Sequence, residues 1–173
     1  MIDLIADPEL SATVRSSLQR LHSISRRSPP ETDSPPSPAD ASTLFARAEQ
    51  LCTGEDYRCA LPLAMELFMA LPHEPSAAFL LATCLQRLEQ PALAARLFQM
   101  CTAMEGDKPT PGALFRAGEC LVAMGEKDEA LTAFEAAVEI ARSDARHSEI
   151  QAMAQDKANA LRSLEVPILG EIK

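Results

Sequence analysis

The chain has 173 residues, room for one domain with a modest core and an appendage. Its net charge is −9 with a pI near 4.8, and no Lys/Arg-rich run interrupts that balance, which disfavours nucleic acid and other polyanions as partners. Trp is absent, Tyr occurs once, and Ala, Leu, Glu, Gln and Arg abound, so the expected fold class is all-α. No apolar run reaches the length of a membrane span or a secretory leader, so no direct membrane insertion is expected. The five cysteines form no C-x-x-C pair, and His22, His73 and His147 have no zinc-ligand spacing. A reduced, cytoplasmic protein without metal or cofactor follows as the expectation.

The first segment, 1–24, reads as a helical arm. Asp7-Pro8-Glu9 supplies an N-cap, a proline at the first helical position and an acid suited to the dipole. Leu10, Val14, Leu18 and Leu21 then make one apolar stripe at helical spacing. So narrow a stripe must pack on the rest of the chain or on the same helix of a second subunit, giving a homodimer. The sequence does not choose between them. Residues 25–40 hold Pro29, Pro30, Pro35, Pro36 and Pro38 among serines, which predicts an extended linker.

From 41 to 164 the chain reads as helices. They are expected over 41–53, 56–70, 76–88, 91–104, 112–124 and 127–141, with a last one over 144–164. Pro62 falls early in the second, where it costs least but can delay the helix start. The last helix carries Ile150, Met153, Ala154, Leu161 and Leu164 on one side, as a terminal capping helix needs. Residues 165–173, with Pro167, read as a flexible tail.

Six of these helices repeat a code. Phe45, Phe79 and Phe115 recur at spacings of 34 and then 36 residues, the extra pair falling between Glu105 and Pro111. Counting from the first helical residue, position 8 is Ala48, Ala82 and Gly118, and position 11 is Leu51, Leu85 and Leu121. Position 20 is Ala60, Ala94 and Ala130, and position 24 is Ala64, Phe98 and Phe134. This pattern resembles the tetratricopeptide repeat, a pair of antiparallel helices whose close crossing demands small residues. Three tandem repeats forming a helical solenoid are therefore expected. Cys84 and Cys120 are equivalent positions, which marks them as small apolar packing residues.

In such repeats the core comes from positions 4, 8, 11, 20, 24 and 27, whereas position 5 faces the concave groove. That assigns Phe45, Phe79 and Phe115 to the groove rather than the core. Their groove neighbours are Glu49 and Cys52 in the first repeat, Thr83 and Gln86 in the second, and Glu119 and Val122 in the third. A carboxylate clamp needs Lys at position 5 and Asn at position 9, and neither is present. The expected ligand is an extended apolar segment.

The run Leu114-Phe115-Arg116-Ala117-Gly118-Glu119-Cys120-Leu121, with Ala82-Thr83-Cys84-Leu85-Gln86 before it, is similar to class II chaperones of bacterial type III secretion. The stretch from Ala133 to Leu161 resembles their last repeat and final helix. The likeness spans residues 41–164, and the proline-rich linker departs from it. What the resemblance implies is a cytosolic virulence-type chaperone that holds hydrophobic translocator proteins soluble and export-competent, with a short segment of the client in the groove. A second reading is an adaptor or co-chaperone that assembles a secretion apparatus through a helical partner. No nucleophile with a nearby base and no Gly-rich phosphate cradle appears, so no enzyme activity is expected.

Overall fold

The computed structural model describes residues 38–165, with side chains from 40 to 163. The arm with Leu10, Val14, Leu18 and Leu21, nearly all of the linker and the tail beyond Glu165 lie outside the described residues. Seven α-helices and one 3-10 turn make up the described chain, with no strand among its residues. They fall into two compact units, 1–72 and 73–173.

The first unit holds one hairpin, α1 (Pro38–Thr53) and α2 (Tyr57–Ala70). α1 begins three residues ahead of the expected start, with Pro38 as its first residue. A proline is tolerated there because the first amides of a helix have no intrahelical acceptor. The Asp56 carboxylate caps α2 by accepting from the Cys59 N–H at 3.1 Å. Pro62 does not delay the helix, which begins at Tyr57 and carries the proline inside.

The second unit comprises α3 (Pro75–Arg87), α4 (Pro91–Glu105), α5 (Pro111–Met124), α6 (Lys127–Ala141), a 3-10 turn (Ala145–His147) and α7 (Ser148–Glu165). α3, α4 and α5 each start on a proline whose fixed φ suits a first helical turn. Each helix packs on the next, α3 on α4 through to α6 on α7, and α5 also touches α7. The expected single helix over 144–164 is instead a short turn followed by α7. The Asp144 carboxylate accepts the Arg146 N–H at 3.0 Å and binds its guanidinium, which holds the carboxyl down at about 2.

One turn closes all three hairpins. The Asp56 N–H reaches the Leu51 carbonyl at 2.9 Å, Gln90 reaches Leu85 at 2.9 Å, and Glu126 reaches Leu121 at 3.0 Å. Each places the preceding residue in the left-handed region, at φ +59° for Glu55, +59° for Glu89 and +82° for Gly125. This is the six-to-one bond that ends many helices, and only the third copy has the glycine it favours.

Within the second unit the small residues do what the repeat code requires. A Cβ on Gly118 would come within 2.7 Å of the Phe134 ring, which is itself fully buried. The ring of Phe79 stands edge-on to that of Phe98 at 5.3 Å, and Phe115 lies 5.7 Å from Phe134. Position 5 thus meets position 24 of its own repeat in both cases. Ala154, Ala158 and Leu161 of α7 are buried in the same core as Ala133, Phe134 and Ala137 of α6.

Candidate functional site

Phe115 corrects the expected division between groove and core. Its exposure is 7%, and it belongs to the core cluster with Leu121, Phe134 and Val138. The reason is its contact with Phe134, which draws the ring down between α5 and α6. One edge still reaches the surface as a pocket wall. Phe79 is half-buried, held at its base by Phe98 and lying 3.9 Å from where a Gly112 Cβ would stand. Phe45 is half-buried, Glu49 exposed and Cys52 half-buried, all on one face of α1 in the other unit. None of the three lines the pockets of the second unit.

Two adjoining pockets open on the second unit. One, about 350 Å³, is lined by Gln86 and Arg87 of α3, Arg116, Glu119 and Val122 of α5, Phe134 of α6 and Lys157 of α7. The other, about 420 Å³, is lined by Phe115, Arg116 and Glu119 together with Met153, Asp156, Lys157 and Ala160 of α7. Arg116, Glu119 and Lys157 form the wall they share. Of the groove residues expected in this unit, Gln86, Phe115, Glu119 and Val122 therefore converge. Thr83 is half-buried and donates its hydroxyl to the Phe79 carbonyl of its own helix at 2.9 Å.

Glu119 ties the site together. Its carboxylate accepts from the Gln86 side-chain amide at 3.1 Å and from the Arg116 guanidinium at 3.0 Å. The Gln86 carbonyl oxygen is buried without a hydrogen-bond partner, an arrangement that commonly costs about 1–3 kcal/mol. Around this polar knot stand two apolar side chains open to water, Val122 at 43% and Met153 at 40% exposure. Met153 had been expected among the packing residues of the last helix. Ala154 and Ala158 take the core side instead, and Met153 falls on the pocket side.

Arg116, Met153, Asp156, Lys157 and Ala160 are absent from the sequence-based site. The signal for the last four was present: 153, 156, 157 and 160 share one helical face. Reading α7 only as a cap hid it.

The arrangement supports binding rather than covalent chemistry. Burial pushes the Cys120 thiol up to about 11, aided by the Glu119 carboxylate, and burial together with Glu105 does the same for Cys101. Such thiols are protonated at neutral pH and poor nucleophiles. Among the described residues no cluster of His, Cys, Asp and Glu is suited to a metal ion. No described helix is long and apolar enough to cross a membrane.

The model of a tetratricopeptide-like family, anaphase-promoting complex, cyclosome, subunit 3, matches residues 54–137. No curated protein matches in sequence. The fold is similar to that of the Yersinia enterocolitica type III secretion chaperone SycD, solved with a peptide of the translocator YopD. That likeness has 22% identity and a TM-score of 0.71, covering 75% of this chain and 98% of SycD. PcrH from Pseudomonas aeruginosa aligns at 22% identity with a TM-score of 0.68, over 73% of this chain and 94% of PcrH. A type III secretion complex from Aeromonas hydrophila aligns at 20% identity with a TM-score of 0.71, over 92% and 98% of the two chains. These likenesses establish the fold: tandem tetratricopeptide-type hairpins ended by one further helix.

Proposed function

We propose that this chain is a cytoplasmic type III secretion chaperone that holds a hydrophobic translocator soluble by gripping an extended apolar segment of it. The observation that carries the reading is the pair of pockets beside exposed Val122 and Met153, apolar side chains that gain by being covered. Support comes from solved relatives of the same fold. PcrH has been solved with the chaperone binding regions of PopD and PopB, and SycD with a YopD peptide. The function is binding, with no catalytic step. Thr83 and Phe79 extend the contact surface along α3, and Phe45, Glu49 and Cys52 offer a comparable face on α1.

Co-expression with a hydrophobic translocator tests this. A soluble complex is expected on size exclusion, and Val122→Asp combined with Met153→Asp should reduce capture at least about tenfold. Both residues are surface-exposed, so the melt of the double variant should stay within about 1 kcal/mol of the parent. A translocator that stays insoluble with the parent chain overturns the reading.

A further inference from the structure

We propose that the segment accepted by the two pockets carries an aspartate or glutamate beside its apolar anchor, and that Lys157 is the residue that reads it. This deepens the binding role proposed above and rests on the pockets being where a segment is gripped. Lys157 stands on α7 in the wall common to both pockets, exposed to water. It makes no hydrogen bond or ion pair with any other described residue.

The charges around it are unevenly divided. The Glu119 carboxylate is already engaged, its Oε2 accepting from Arg116 Nη1 at 3.0 Å and from the Gln86 amide at 3.1 Å. Arg116 answers that charge and keeps Nε and Nη2 without an acceptor among the described residues. Arg87 lines the same pocket as a further cation, and Glu119 is the one acid of its lining. Around the first pocket, then, three positive side chains face a single carboxylate. Around the second, Asp156 joins Glu119 and balances Arg116 and Lys157, while Phe115, Met153 and Ala160 supply the apolar surface.

An order follows for the bound segment: the acid in the first pocket, the apolar side chain in the second. Two residues on one face of an extended chain, i and i+2, are the shortest pair that could enter both. A carboxylate in the first pocket meets an ammonium with no competing partner, whereas a basic residue there meets three like charges. Such complementarity selects among segments more than it tightens them. The overall charge of −9 disfavours a run of acids, so one acid within an apolar segment is the chemistry that fits.

The test is a selection of short random peptides on the full chain, followed by titration of an enriched peptide. Enriched sequences should pair an aspartate or glutamate with a nearby leucine, isoleucine, valine or methionine. Exchanging the peptide's acid for the matching amide residue should weaken binding about two- to fivefold, the effect of one partly exposed ion pair. That loss should vanish on Lys157→Gln, whose exposed position leaves the melt unchanged. On Lys157→Glu, a peptide with lysine in place of the acid should bind better than the original. Enriched peptides without an acid, or an acid whose loss costs the same against the parent and Lys157→Gln, overturn the proposal. The apolar grip then still stands if Val122→Asp with Met153→Asp weakens those peptides. An absence of enriched peptides overturns the proposal as well. Translocator capture is scored separately: if it fails while acid-dependent peptides still bind, the chaperone reading falls and the preference of Lys157 stands.

Discussion

Gly118 and Phe134 occupy one another's space, the tightest steric statement in the second unit. Gly118→Ala sets a methyl group inside a fully buried ring contact and should lower stability by about 1–3 kcal/mol, read as a drop in thermal midpoint. Glu89 is the opposite case, an exposed side chain held at φ +59° where glycine is at ease. Glu89→Gly should raise stability by a few tenths to about 1 kcal/mol, because relief of the left-handed strain outweighs the entropy a glycine adds to the unfolded chain. Cys101 and Cys120 give a pH signature. Their thiols ionise near 9 when exposed and near 11 when buried, so the native state keeps protons that the unfolded state releases. Their contribution is fully present below pH 9 and is lost as pH rises towards 11, and a denaturant series across that range should show it. The small position at Gly118 was legible in the sequence because a close crossing admits nothing larger. The strain at Glu89 was not, since nothing in a glutamate announces a positive φ.

At the scale of helices, the aromatic at position 5 belongs to two places at once. Its pairing with position 24 was hidden because each was assigned to a different surface by its place in the repeat, although 79 with 98 and 115 with 134 are equivalent pairs. Phe115→Ala should therefore cost about 3–5 kcal/mol of folding stability, a core-sized loss checked by chemical denaturation. α7 teaches a similar lesson. Its buried side is made of Ala154, Ala158 and Leu161, while the larger Met153 faces the pocket. Side-chain size misled the reading: close packing of α6 on α7 selects alanine, and the bulky apolar residue is left for the open face.

For the whole chain, the tandem hairpins were legible because the small and apolar residues at positions 8, 11 and 20 recur three times at the same offsets. The division into units at Pro72 was not, as the repeat period runs across it unchanged. Residues 73–173 contain their own aromatic core and are expected to fold alone. That fragment should give a helical circular-dichroism spectrum and a cooperative melt; a featureless melt would make its packing dependent on the first unit. The site's polarity was also out of reach. A chain of net charge −9 places Arg87, Arg116 and Lys157 around one pocket with only Glu119 against them, and that gathering comes from three separate helices.

The loop from Gly106 to Thr110 has a consequence for engineering. The Glu105 carboxylate accepts from the Thr110 hydroxyl at 2.7 Å and from its amide, closing the loop at its ends while 106–108 stay exposed. The longer spacing between the second and third hairpins is taken up here, whereas the turns inside hairpins are locked by their closing bonds. Foreign residues inserted between Asp107 and Lys108 meet only the slow logarithmic entropy of a longer loop, about 0.6 kcal/mol per doubling. A reporter peptide placed there would ride on the second unit, held by a carboxylate latch rather than by the register of any helix.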